Sequence, residues 1–132
     1  MIGLDTNILL RAFVNDDPVQ SASARRFLDR PDGSAPKFVC LIVVVEFAWS
    51  LRKTYGYSRP AVLDAVRRIL DASDTVVQRR DLVSLCVALG SSINSDLSDL
   101  LIGQGNIEDG CERTVTFDRK AARRAPGMEL LA

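Results

Sequence analysis

The strongest constraint on this chain is an alternation of two periodicities. Short apolar runs at Ile2–Leu4, Phe38–Ile42, Thr75–Val77, Thr114–Phe117 and Met128–Leu131 read as strands. Longer stretches with helical spacing lie between them. Asp17 as cap, Pro18 in the first turn and Gln20 three residues after the cap predict a helix to about Leu28, ending before Pro31-Asp32-Gly33. Val44, Phe47, Ala48, Leu51 and Tyr55 share a second helical face, which Gly56 closes. Ser58 caps a third helix, carrying Val62, Leu63, Val66, Ile69 and Leu70. Leu82, Leu85, Cys86, Leu89 and Ile93 mark a fourth. A fifth begins near Ser95 with Leu97, Leu100, Leu101 and Ile107, weakened by Gly103 and Gly105. Apolar strands alternating with helices predict an α/β fold, a three-layer α/β/α arrangement around a central, mostly parallel sheet.

Composition narrows the chemistry. The 132 residues, 1–132, make one domain. That length buries roughly two-thirds of the unfolded surface, so no disulfide or metal is needed merely to fold. No histidine is present, which removes Ser-His-Asp and Cys-His catalysis and histidine-held zinc or copper. Lys plus Arg and Asp plus Glu number 17 each, so net charge gives no case for or against a nucleic-acid partner. Three widely spaced cysteines, Cys40, Cys86 and Cys111, argue against a disulfide framework and for a reducing cytoplasm. The longest apolar run, Phe38 to Val45, is far short of the ~20 residues that cross a bilayer. With no signal peptide visible, the expectation is a chain without membrane attachment.

Ligand sites in open α/β sheets form at the carboxyl ends of the strands. Asp5 follows the first strand, Glu46 lies in the first turns of the helix after the second, and Asp118 follows the fourth. Asp96 and Asp99, three apart at a helix start, share a face. Each alone has a plain structural alternative: Asp5, Asp96 or Asp118 as a cap, Glu46 as a solvated helix residue. Together they gather at one sheet edge. Crowded carboxylates protonate or bind a cation. A hard divalent ion such as Mg²⁺ takes oxygen ligands, keeps several waters and supports phosphoester hydrolysis without histidine. Asp5, on this view, is paired with other carboxylates through a metal, so that Asp5→Asn relieves repulsion in the metal-free fold.

The same residues resemble the PIN-domain ribonucleases, specifically the VapC-type toxins of bacterial toxin–antitoxin pairs, over nearly the whole chain. "LDTNILLR" resembles the family's opening strand with its first acid, Asp5. "VVVEFAWSLRKTYGYSR" resembles the second block, with Glu46. "SDLSDLLIG" resembles the acid-x-x-acid helix, whose second acid is Asp99. "TVTFDRKAAR" resembles the closing block, with Thr116 and Asp118. Leu97, Ser98 and Leu100 depart from the residues usual in the acid helix, which changes the cavity shape.

The resemblance implies a Mg²⁺- or Mn²⁺-dependent endoribonuclease, neutralised by a cognate antitoxin and forming a homodimer. It implies Asp5, Asp99 and Asp118 as metal ligands, Glu46 as a ligand directly or through water, and Asp96 in a direct or outer role. Thr6, Asn7 and Thr116 would brace the carboxylates. Arg119, Lys120, Arg123 and Arg124 form either an RNA-phosphate contact or a solvated helix face. Two other classes compete. An aspartyl-nucleophile phosphotransferase or phosphatase needs a second aspartate where Asn7 stands. A non-catalytic PIN-like binding module would lack acids that are present here. The aromatic residues Phe47, Trp49, Tyr55 and Tyr57 belong either to the core, as expected for Phe47, or to a dimer or antitoxin surface.

Overall fold

The computed structural model describes residues 1–30 and 35–131. Along the chain run β1 (Ile2–Gly3), α1 (Thr6–Phe13), α2 (Pro18–Leu28), β2 (Lys37–Val39), α3 (Leu41–Lys53), α4 (Arg59–Asp71) and β3 (Thr75–Val77). Then follow α5 (Arg80–Gly90), α6 (Leu97–Glu108), β4 (Thr114–Thr116), α7 (Arg119–Arg124) and β5 (Met128–Leu130). β1, β2 and β3 pair in that order and β4 pairs with β5, every ladder parallel. This is the three-layer α/β/α fold that the alternating pattern predicts.

Local signals placed several elements. Asp17 accepts a hydrogen bond from the Gln20 N–H with Pro18 in the first turn, and Ser58 accepts from the Ala61 N–H. Thr75–Val77 is the strand predicted for it. The core forms largely from the expected faces, with Val39, Val44, Phe47, Leu51 and Leu100 essentially fully buried; Val83, outside the expected face, is buried too, whereas Leu85 and Ile107 are exposed. Tyr55 and Tyr57 are half-buried, their hydroxyls donating to Asp16 and to the Phe13 carbonyl, while Trp49 is exposed.

One expected boundary needs correction, and one helix was not expected. The second strand ends at Val39, and Leu41 and Ile42 are already helical. The α3 start is set from outside: the Leu41 N–H donates to Gln78 Oε1 at 2.8 Å, beyond the end of β3. A run of β-branched residues suits either state, and this long-range bond decides it. Residues after Asp5 form a helix at once, because the Asp5 carboxylate caps α1. Gly103 and Gly105 do not interrupt α6, which runs through both with the two glycines buried. The Pro31-Asp32-Gly33 stop lies outside the described residues.

Lys37 opens β2 and is almost wholly buried. Its ammonium donates to the Leu28 carbonyl at 2.9 Å and pairs with Asp74, which precedes β3. One cation thus ties α2 to two strand starts, at the edge opposite the carboxylates.

Candidate functional site

Asp5, at the end of β1, and Glu46, in the helix that follows the adjacent strand β2, stand together at Thr6. Asp5 follows β1 and is exposed; its Oδ1 accepts from the Thr6 N–H at 2.8 Å. Thr6 is buried, and its hydroxyl donates to Glu46 Oε1 at 3.1 Å. One threonine therefore bridges the α1 cap to the acid on α3. Asp5 and Glu46 are in no ion pair among the described residues.

Asp96, Asp99 and Asp118 meet at a second place. They line a cavity of about 80 Å³ with Arg59, Lys53 and Lys120 at its rim. Asp118 caps α7, its Oδ1 accepting from the Lys120 and Ala121 N–H groups at 2.9 and 3.0 Å. The Asp118 N–H donates to Thr116 Oγ1 at 3.0 Å, so Thr116 fixes the turn that presents it. Asp96 occupies the N-cap position of α6 but does not cap it. Its Oδ1 instead accepts from Arg52 Nε at 3.1 Å and Arg59 Nε at 2.8 Å, and Lys53 Nζ lies 3.4 Å from Oδ2.

These surroundings drive the two acids of α6 apart. Burial pushes the Asp99 carboxyl up, and the negative charges of Asp96 and Asp118 push it further, outweighing Lys53 and Arg59. Burial also pushes the Asp96 carboxyl up. There the hydrogen bonds from Arg52 and Arg59, with the charges of Arg59 and Lys53, more than reverse it and hold it below its ordinary range.

The PIN domain family matches residues 2–126 of the sequence. The chain belongs to the PIN domain family. PIN domains are typically nucleases and generally use divalent metal ions. A comparison with curated proteins gave no match.

The donor set of this PIN domain suits a hard divalent ion. Asp99 and Asp118 line one small cavity and offer carboxylate oxygens, and a bound cation would offset both the burial of the Asp99 charge and its repulsion by Asp96 and Asp118. Mg²⁺ retains several waters and binds through one or two carboxylates, which matches a facing pair. Among the described residues no group of three or more Asp, Glu or Cys side chains is arranged to hold a metal ion. The structure thus brings Asp96, Asp99 and Asp118 to one cavity, and Asp5 and Glu46 to one threonine, without joining the two sets into a single cluster.

The remaining candidates divide. Thr6 and Thr116 brace acids as expected. Asn7 is exposed and lines a groove between α1 and α2 with Ile8, Arg11 and Phe27, making no hydrogen bond to the acids. Arg119, Lys120, Arg123 and Arg124 are exposed on α7. Lys120 reaches the cavity, and Arg124 donates to the Asn94 carbonyl at 3.0 Å. Arg52, Lys53, Arg59 and Asn94 went unnoticed in the sequence. One signal was available: Arg59 is the first residue of α4, where the helix dipole disfavours a cation that has no acid beside it.

Proposed function

We propose that this PIN domain is a Mg²⁺- or Mn²⁺-dependent endoribonuclease, the toxin of a toxin–antitoxin pair, working in the cytoplasm. The observation that carries the nuclease reading is the Asp99–Asp118 pair in a cavity rimmed by Lys53, Arg59 and Lys120. Acids without their own cations beside cations with free donors suit a metal next to a phosphate. The four sequence blocks that resemble VapC-type toxins support the toxin role and its antitoxin. Three unpaired cysteines fit a reducing compartment. No helix among the described residues is long and apolar enough to cross a membrane. Ile42 and Trp49, exposed about two turns apart on one face of α3, support a homodimer.

In this mechanism Asp99 and Asp118 would hold the ion, and Asp5, after β1, and Glu46, on α3, would contribute from beside Thr6. The chemistry that such an ion would supply is polarisation of a phosphate oxygen and a lowered pKa for a bound water. Glu46, steadied by Thr6, accepts a proton from the attacking water. Asp96 acts through the cations around it. Lys120 and its neighbours on α7 hold the RNA backbone by charge.

Purified protein is expected to cut single-stranded RNA in Mg²⁺ or Mn²⁺ and to stop in EDTA. Asp99→Asn should lower the rate at saturating metal by about 10²-fold or more, as loss of a transition-state charge contact does, and Asp96→Asn far less. Cleavage that persists in EDTA, with contaminating nuclease excluded, overturns the mechanism.

A further inference from the structure

The cations around Asp96 come from three places in the chain: Arg52 and Lys53 at the end of α3, Arg59 at the start of α4, and all meet an acid at the start of α6. Three positive charges on one carboxylate leave a local excess of two. The arrangement is fixed. The Asp96 side chain is 11% exposed, and Arg52 also donates to the Tyr57 carbonyl at 3.0 Å. Both engaged nitrogens of Arg52 therefore face protein. Arg59 differs. Its Nε holds Asp96 and its Nη1 holds Asn94 Oδ1 at 2.8 Å, while Nη2 has no protein partner among the described residues. Lys53 is more than half exposed, with one long contact to Asp96. Lys53 and Arg59 line the same cavity as Asp99 and Asp118. Asn94 carries the basic surface onward, since its side chain takes Arg59 and its carbonyl takes Arg124 of α7.

We propose that Asp96 is a positioning residue that holds Lys53 and Arg59 as a preformed clamp for an RNA backbone phosphate beside the Asp99–Asp118 cavity. The inference rests on the ribonuclease reading and deepens it. The phosphate takes the Lys53 ammonium and the free Arg59 nitrogen without displacing Asp96. Fixing these two long side chains in advance lowers the ordering cost of binding. The strand then leaves the cavity over Asn94 towards Arg124.

The test is metal-free. Fluorescence anisotropy in EDTA measures the Kd of a labelled single-stranded RNA oligomer across a salt series. The double variant Lys53→Gln/Arg59→Gln should bind at least tenfold more weakly. Its log Kd–log salt slope should fall by about 1.4, two contacts at ~0.7 each on a single strand. Asp96→Asn separates positioning from mere neutralisation, because the two predict opposite signs. Removing a negative charge tightens RNA binding if Asp96 only neutralises; it weakens binding about threefold or more if Asp96 holds the clamp. Arg26→Gln, on the exposed face of α2, should change Kd less than twofold. If Asp96→Asn fails to fold, Lys53→Gln alone still reads the clamp. Tighter binding by Asp96→Asn, or a double variant that binds like wild type, overturns the proposal while leaving the nuclease reading intact. Absence of RNA binding by the wild type overturns both, whereas tight binding without cleavage in metal counts against the nuclease reading alone.

Discussion

Asp96 and Asp99 sit one helical turn apart on α6, yet their surroundings push them in opposite directions. The consequence for stability follows from sign. A carboxyl held above its unfolded value loses the fold stability as pH rises through the folded value, and at neutral pH the whole loss is present. Asp99→Asn removes that loss. In EDTA at pH 7 the variant should melt above wild type, and the gap should close as pH falls below the ordinary value of 3.8. Asp96 runs the other way: its contribution is present above the ordinary value and is lost as pH falls through the lowered folded one. Asp96→Asn should cost about 1–2 kcal/mol at pH 7, between an exposed pair and a fully buried one. Asp5 gives a third case. The crowding expected around it is found at Asp99 instead, and Asp5 is exposed and caps α1. Asparagine caps as well as aspartate, so Asp5→Asn should melt close to wild type in EDTA, whereas Asp5→Ala should lose about 1 kcal/mol. Urea titrations of the two variants, together with cleavage assays in which both are inactive, check this.

Helix α6 shows how an element can contradict its own propensities. Glycine inside a helix costs about 1 kcal/mol relative to alanine, and α6 carries Gly103 and Gly105. A Cβ on Gly103 would overlap the Pro126 backbone carbonyl oxygen, so this glycine is what lets α6 approach the turn before β5. A Cβ on Gly105 would meet only Leu82 Cδ2, at an ordinary contact of 3.4 Å. The two therefore predict opposite results. Gly103→Ala should destabilise by about 1–3 kcal/mol, because backbone has to move. Gly105→Ala should be neutral or gain up to about 1 kcal/mol from helix propensity. Paired thermal melts decide it, and equal effects at both positions would refute the close-approach explanation. The same approach supports the β4–β5 ladder and, through it, the turn that presents Asp118.

At the scale of the molecule, β1 and β4 end beside Asp5 and Asp118, and Glu46 lies in the helix that follows β2. At the opposite edge Lys37 is buried against Asp74 and the Leu28 carbonyl, clamping β2 to the segments that precede β3 and follow α2. The outer face of α3 carries Ile42 at 71% and Trp49 at 52% exposure, apolar area that a second copy would cover. Sedimentation velocity should therefore show a species of twice the 14.5 kDa chain mass. Trp49→Glu should shift it to a single chain without lowering the melting temperature of the monomer. A wild type that stays monomeric at high micromolar concentration would remove the dimer from the proposal.

The sequence by itself determined the parts that are local. Asp17 with Gln20 and Ser58 with Ala61 satisfy helix N–H groups within three residues, so the chain spells out those helix starts. Apolar spacing marked the buried faces of α3 and α4, and strand–helix alternation marked the fold. The acids stood out as candidates because of their places after strands and near helix starts, but their division into two groups, Asp96, Asp99 and Asp118 at one cavity and Asp5 and Glu46 at Thr6, was not legible. Tertiary structure decided whatever depends on a distant partner. Gln78 sets the start of α3, Pro126 makes Gly103 necessary, and Asp74 makes the burial of Lys37 possible. Asp96 looked like a cap because only its position in α6 was visible, whereas its partners lie 44, 43 and 37 residues away at Arg52, Lys53 and Arg59. Hydrogen bonds and charges act across space, and their energies depend on burial that no window of sequence contains.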